Sequence, residues 1–182
     1  MNMDHRQKRA FALASEDVGL KEVRGPKHNS KIVQDFATVG HSWVKDDETA
    51  WCASFVGARL EDAGLPSTRK LNARSYLDWG EGVTLAEAVP GDVVVFWRGS
   101  PSSWQGHVGF FVDQGDGFIH VLGGNQSNAV NVSKYAASRL LGVRRWPVSV
   151  PVMDQHTARK SAGSGWLASL FKALMGIFGG KK

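Results

Sequence analysis

The single cysteine of this 182-residue chain, Cys52, is the first candidate for chemistry. It follows Thr49, which we predict to cap the N-terminus of a helix with the sequence TAWCASFVGARLEDAG. A thiol at a helix start has a lowered pKa, because the aligned backbone N–H groups favour negative charge. The same groups can donate hydrogen bonds to an oxyanion. The alternative is a structural cysteine buried on an amphipathic helix.

A thiol nucleophile needs a base, and the sequence has six histidines. His107 begins a predicted strand after Gly106, where its side chain can point from the end of a sheet toward a helix start. His120 lies in the middle of another predicted strand, which favours a satisfied, half-buried side chain. We therefore predict His107 as general base and acid, with His120 as the weaker candidate. No clustered Cys and His spacing indicates a metal site, and the proposed chemistry needs no cofactor.

The elements that must position these residues change character along the chain. Apolar spacing predicts helices over about 6–20, from Asn29 or Ser30 to 39, and from Thr49 to Gly64, with a short helix near 72–79. From residue 91 onward, short β-branched and aromatic segments predict about five strands: 91–98, 107–114, 117–124, 129–135 and one ending at Pro147. The segment Asp113–Gly117 is typical of a hairpin turn. Helices followed by an antiparallel meander predict an α+β fold.

Four segments, AWCASFV, PGDVVVFW, GHVGFFV and GGNQSNAVNV, resemble the NlpC-type and CHAP-type cysteine peptidoglycan hydrolases over roughly residues 10–146. The resemblance implies a papain-like core, with N-terminal helices packed on an antiparallel sheet. It also implies that Cys52 is the nucleophile and His107 the general base. The residue that orients the histidine would be Asn125, with Gln126 as its competitor because the strand register is open. GGNQ is also compatible with a plain glycine-rich turn.

The chain departs from the NlpC-type pattern in one respect. Many such enzymes carry a tyrosine upstream of the cysteine, whereas the only tyrosines here are Tyr76 and Tyr135. This favours the CHAP-like branch and leaves the second oxyanion donor unassigned. Among the tryptophans, we predict Trp51 and above all Trp104, in the loop beside His107, as substrate-binding residues.

The C-terminal part differs from the rest. We predict a catalytic domain over 1–146, a linker over 147–165 and a cationic amphipathic tail helix over 166–182. The apolar face of the tail predicts contact with a membrane surface, and docking on the domain or on a second copy is the alternative. That face includes Trp166, Leu170, Phe171, Leu174 and Phe178. Residues 147–182 also hold five basic residues and one acidic residue, so the net charge of +5 does not indicate a nucleic-acid-binding face on the domain.

The resemblance implies cleavage of an amide bond in bacterial peptidoglycan, either by a stem-peptide endopeptidase or by an N-acetylmuramoyl-L-alanine amidase. No secretory signal is recognisable at the N-terminus. We expect synthesis in the cytoplasm, action in the periplasm or cell wall, and a monomer. Together with the tail, this favours a phage endolysin. The alternatives are a wall-degrading toxin delivered to rival cells, and a non-catalytic membrane- or wall-binding module with a structural cysteine.

Overall fold

The computed structural model describes residues 3–148, and three helices form its N-terminal half. Helix α1 spans His5–Glu16, α2 spans Ser30–Thr38 and α3 spans Cys52–Asp62. The side chain of Asp4 caps α1 and that of Asn29 caps α2, each by accepting a hydrogen bond from a backbone N–H two residues later. The predicted short helix near 72–79 is a 3₁₀-helix over Ala73–Asp78.

Six antiparallel strands form the second half. They are β1 (Glu81–Val83), β2 (Val93–Trp97), β3 (Gly106–Gly115), β4 (Phe118–Gly123), β5 (Asn131–Ala136) and β6 (Leu140–Arg145). Their order in the sheet is β1-β6-β2-β3-β4-β5. The predicted α+β class is therefore confirmed. Strand β1 was not predicted, because an edge strand of three residues with a central glycine carries too short a pattern to recognise.

The predicted turn at Asp113–Gly117 is confirmed as the hairpin between β3 and β4. Asp116 and Gly117 connect the two strands, and both have positive φ, at 52° and 77°. Two consecutive residues in this region form the tight turn whose twist matches that of the flanking strands. The hairpin fixes the register of β3 against β4, and hence the position of His107 relative to the segment after β4.

The core lies between the helices and one face of the sheet. Alternation along β2 sends Val93 and Val95 into the cluster under α3, whereas Val94 and Phe96 join a smaller cluster on the other face. Helix α3 is the central helix, since every residue from Cys52 to Leu60 is buried. A buried helix placed against the sheet holds its N-terminus in a fixed position at one end of β3.

The predicted linker and tail helix lie outside the described residues, apart from the first two positions of the linker. The membrane-contact prediction for the tail, with its five apolar residues, therefore remains a prediction. Within residues 3–148, no helix has both the length and the apolar character needed to cross a bilayer.

Candidate active site

Cys52 is the first residue of α3, and Trp51 occupies the N-cap position before it. The prediction of Thr49 as the cap was wrong, because the helix begins later, after Trp51. The backbone N–H and the hydroxyl of Thr49 both donate to Asp46 instead. No side chain caps α3. The N–H groups of Cys52 and Ala53 instead face the thiol and favour its charged form. An uncapped helix start is suited to binding an anion or an oxyanion.

The thiol lies at the start of β3, next to the peptide that follows His107. The backbone N–H of Val108 faces the sulfur and also favours the thiolate. Val108 packs into the core under α3 together with Cys52. Among the residues that the structure describes, Cys52 Sγ makes no hydrogen bond to a ring nitrogen of His107. His107 itself pairs with Phe96 and stacks on Tyr135, which pack in the smaller cluster on the other face of the sheet, so the residue that lies against the thiol is Val108.

His107 is fully buried and held on three sides. Its ring stacks on Tyr135, with 4.9 Å between centroids and 12° between planes. Its Nε2 lies 3.1 Å from Oε1 of Gln126. Its Nδ1 lies 3.2 Å from an Nη atom of Arg98. These contacts fix the orientation of the ring.

The same contacts define which nitrogen carries the proton. The amide nitrogen of Gln126 donates to the carbonyls of Val121 and Asn131, so its oxygen faces the histidine as an acceptor. His107 must therefore donate from Nε2. Arginine has only donors, so Nδ1 carries the lone pair. The Nδ1 lone pair is the feature that a general base requires, and in this structure it accepts from Arg98.

The third position is occupied by Gln126, and the expectation that Asn125 would contact the imidazole was wrong. Asn125 adopts φ of 55°, a left-handed conformation typical of a turn residue. It lines the groove beside Cys52. The competitor Gln126 is buried and bonds to His107. Sequence spacing could not separate the two, since a single tight turn decides which side chain points inward.

Burial has the largest effect on the pKa values of Cys52 and His107. Desolvation raises the pKa of the Cys52 thiol, and the positive charge of Arg98 opposes this only in part. Desolvation, followed by the charge of Arg98, lowers the pKa of His107 to about 3. The unliganded site therefore holds a neutral thiol and a neutral imidazole. A thiolate can form only when His107 accepts the proton during the reaction, or when a ligand changes these surroundings.

Of the two tryptophans predicted to bind substrate, only Trp104 lies on the surface of the groove. Trp104 is 74% exposed and lines a groove of about 220 Å³ together with Cys52, Arg98 and Asn125. Trp51 was wrongly predicted to bind substrate, because its side chain is fully buried. Its indole N–H donates to Glu22, and its ring lies against Gly124. Trp51 supports the groove from below and does not line it.

Sequence reasoning missed Arg98 and Tyr135. Arg98 directly follows β2, where Trp97 pairs with Gly106 and Phe96 with His107. This antiparallel pairing places the arginine beside the histidine, and nothing in the linear sequence indicates it. Tyr135 lies in β5, two strands from His107 in the sheet. The period-two alternation of β5 predicts which face of the sheet Tyr135 lies on, but it does not predict that the ring stacks on His107.

Comparison with known proteins gives a structural result only. No protein-family model matches the sequence, and no curated protein matches it either. Among solved structures, the chain is similar to NlpC1 from Trichomonas vaginalis, with 16% identity, a TM-score of 0.49, and coverage of 80% of this chain and 45% of that one. The chain thus spans less than half the length of that protein.

Two further structures are similar to the chain. The P60 domain of a Mycobacterium avium subspecies paratuberculosis antigen shows 12% identity and a TM-score of 0.49, covering 78% of this chain and 94% of that one. RipD from Mycobacterium tuberculosis shows 15% identity and a TM-score of 0.45, covering 80% and 99%. RipD is described as a non-catalytic NlpC/p60 domain protein adapted to peptidoglycan binding. All three are named as NlpC or P60 proteins.

Proposed function

We propose that the domain is a cysteine hydrolase that cleaves an amide bond of bacterial peptidoglycan. The observation that carries the proposal is the Cys52 thiol at an uncapped helix start, facing the N–H of Val108, the residue after a His107 whose tautomer Gln126 fixes. The groove at Cys52 is open to substrate, with Trp104 at its edge. The four sequence motifs that resemble cysteine peptidoglycan hydrolases supply the substrate class.

The proposed reaction is acyl transfer through Cys52. Nδ1 of His107 takes the thiol proton as Sγ bonds to the amide carbonyl carbon, and the N–H groups at the start of α3 stabilise the oxyanion. His107 then returns the proton to the leaving amine as the C–N bond breaks. Water hydrolyses the thioester and restores the thiol. Gln126 accepts from Nε2 throughout and keeps the ring in place.

Replacement of the sulfur tests the enzymatic proposal. We expect Cys52→Ala to keep the fold and to lose turbidity reduction on purified cell walls. Cys52→Ser, with a poorer nucleophile, should lose it nearly as completely. Mass spectrometry of the released muropeptides identifies the bond that the wild-type protein cleaves. Unchanged lysis by Cys52→Ala, at an unchanged melting temperature, would rule out Cys52 as nucleophile.

A second candidate is a non-catalytic peptidoglycan-binding domain. The observation that favours it is the contact between Arg98 and Nδ1 of His107, which occupies the nitrogen that the base needs. In this case the thiol has no activating partner, and iodoacetamide labels Cys52 at pH 6 as slowly as an ordinary thiol. Cell-wall pull-down without release of muropeptides completes this signature. Release of muropeptides by the wild type, lost in Cys52→Ala, excludes it.

The biological setting is a separate proposal. We propose that the full chain acts in the periplasm or cell wall as a phage endolysin, with the segment 166–182 contacting a membrane surface. The predicted apolar face of that segment and its basic flanks support it. A neighbouring holin gene would support the lysis role. A neighbouring gene for a small immunity protein would point to a toxin instead.

A further inference from the structure

A second pocket lies at the opposite end of the 3₁₀-helix Ala73–Asp78 from the groove at Cys52. Ala73, at the start of this helix, lines the groove, whereas Asp78, at its end, lines the second pocket. A 3₁₀-helix rises about 2 Å per residue, so these two positions lie about 10 Å apart along its axis. The second pocket has a volume of about 290 Å³, which exceeds that of the groove.

Two indole rings line this pocket. The ring centroids of Trp79 and Trp146 are 5.4 Å apart, with 39° between the planes. Trp79 is buried and donates its indole N–H to the carbonyl of Pro66, 2.7 Å away. Trp146 is half-buried, so part of its surface is accessible to a ligand. The face of such a ring carries partial negative charge and attracts the positive edge of a C–H bond.

Polar groups of opposite character line the same pocket. Lys70 and Asp78 are both exposed, and neither takes part in an ion pair within residues 3–148. The lysine can only donate hydrogen bonds and the carboxylate only accept them, whereas the hydroxyls of Ser67, Thr68 and Ser75 can do both. One base and one acid cancel, so the lining has no net charge with which to select an anion or a cation.

The loop that carries these groups is already held in place. Ser67 and Arg69 both donate to the carboxylate of Glu61. Oγ1 of Thr68 lies 2.8 Å from Oγ of Ser75, which joins the loop to the 3₁₀-helix. A pocket with preformed walls loses less conformational entropy when a ligand binds.

These features match the chemistry of a sugar ring. A pyranose presents C–H bonds on one face, which pack on an aromatic ring, and its hydroxyl and acetamido groups donate and accept hydrogen bonds. A purely apolar ligand would desolvate Lys70 and Asp78 without replacing their hydrogen bonds, and an anion would face the Asp78 carboxylate. Peptidoglycan carries amino-sugar strands beside its peptides, so one substrate can reach both this pocket and the groove at Cys52.

We propose that this pocket binds an N-acetylated sugar residue of the glycan strand, with the ring against Trp146 and its polar groups bonded to Asp78 and Lys70. The groove at Cys52 then receives the peptide. The inference rests on the proposed function for the choice of ligand, but sugar binding can be measured without hydrolysis.

Titration of the full chain with chitotetraose, an oligomer of N-acetylglucosamine without peptide, tests the inference by calorimetry. We expect Asp78→Ala to weaken binding by at least about fivefold, because a hydrogen bond to a charged group is lost. Trp146→Leu should weaken it further through loss of the aromatic surface. Trp146 also packs on the core, so the exposed Asp78 gives the variant that leaves the fold unchanged.

The matched control for sugar binding is Glu16→Ala. It removes the same charge from another exposed acid, which lies at the end of α1 and does not line the pocket. Its affinity for chitotetraose should equal that of the wild type. Absence of binding by the wild type, or equal affinities in the wild type and Asp78→Ala, would overturn the inference. Loss of binding in Trp104→Ala but not in Asp78→Ala would overturn it too, because the sugar would then lie in the groove at Cys52.

Hydrolysis separates this inference from the proposed function. We expect Asp78→Ala to raise KM for glycan-linked muropeptides by at least about fivefold and to leave kcat unchanged, because binding in this pocket is the same in the ground state and the transition state. An unchanged KM contradicts the inference and leaves the hydrolase proposal intact. A wild type that cleaves no muropeptide refutes the hydrolase proposal, whereas chitotetraose binding that is weakened in Asp78→Ala still supports the sugar site.

Discussion

At the scale of single residues, the site is defined by what each nitrogen of His107 contacts. Gln126 accepts from Nε2 and is itself held by donating to two backbone carbonyls. A buried N–H without an acceptor costs about 1–3 kcal/mol, so Gln126 contributes to stability as well as orientation. Arg98 donates a hydrogen bond to the opposite nitrogen, Nδ1. In the proposed reaction, Gln126 and Arg98 therefore set the properties of the base without being bases themselves.

Replacement of Gln126 tests its role as orienting residue. We expect Gln126→Leu to reduce kcat on cell walls by about 10²-fold or more, because the ring loses its fixed tautomer while the thiol is unchanged. The matched control is Asn125→Gly, which removes the neighbouring side chain and tolerates the positive φ. This variant should retain most of its kcat. The assignment is wrong if Asn125→Gly is the inactive variant and Gln126→Leu the active one.

At the scale of elements, the turn after β4 contacts both the residue before α3 and the ring of His107. Gly123 lies against Nε2 of His107 and the amide of Gln126, and Gly124 lies against the ring of Trp51. Trp51 immediately precedes Cys52 and is anchored to Glu22. The close approach of backbone and indole therefore sets the distance between the start of α3 and the segment that carries Gln126. The glycines of GGNQ are required for this packing.

Substitution of Gly124 should destabilise the domain. A Cβ at this position would lie 2.4 Å from the Trp51 ring and 2.8 Å from Cβ of Phe55, and neither can move aside easily in the core. We expect Gly124→Ala to lower the melting temperature by about 3–10 °C, as overpacking of 1–3 kcal/mol would. Gly115→Ala is the control, since nothing lies within 4 Å of its added Cβ. Equal melting temperatures for both variants would show that the turn can shift to make room for the added methyl group.

At the scale of the whole domain, one buried charge cluster joins the three helices. Arg59 of α3 pairs with Asp17 at the end of α1, with Asp35 of α2 and with Asp62. Lys31 also pairs with Asp17. Two buried carboxylates share one buried guanidinium, so burial outweighs the attraction of Arg59 and raises the pKa of Asp35 to about 7. The cluster makes the packing of the helices sensitive to pH.

The raised pKa of Asp35 predicts how stability changes with pH. The folded value, about 7, exceeds the reference value of 3.8, so the folded state binds the proton more tightly than the unfolded state. The resulting stabilisation is complete below about pH 4, is lost as the pH rises toward 7, and changes little above that. We expect the melting temperature of the wild type to fall by several degrees relative to Asp35→Asn between pH 5 and pH 8.

Thermal unfolding of both proteins across that range is the measurement. The comparison with Asp35→Asn removes the titration of all other groups, because the asparagine keeps the shape of the side chain and does not titrate. A constant difference between the two melting temperatures from pH 5 to pH 8 would contradict the raised pKa.

The predicted tail gives a test at the scale of the full chain. We expect the full chain to co-sediment with vesicles of anionic lipid at least about tenfold more than a chain ending at Val148, because the apolar face and the lysines of 166–182 are removed together. Phe171→Glu in the full chain should weaken binding by a similar factor. Equal sedimentation of all three proteins would favour docking of the tail elsewhere.

The sequence by itself determined most of the elements and the two candidate residues for chemistry. Periodicity predicts the helices and five of the six strands, and local rules predict a cap at Asn29 or Ser30 and a turn within Asp113–Gly117. These features depend on residues close together in the chain, where propensity and hydrogen bonding act locally. A lone cysteine near a helix start and a histidine at a strand start are features of the same kind.

Only the tertiary structure decided how the site is completed. The register of β2 against β3 places Arg98 on Nδ1 of His107, and the turn after β4 directs Gln126, and not Asn125, to Nε2. The packing of Gly124 on Trp51 converts a predicted groove residue into a buried support. Each of these contacts joins different elements of the fold, and its geometry depends on side-chain packing that no local pattern encodes.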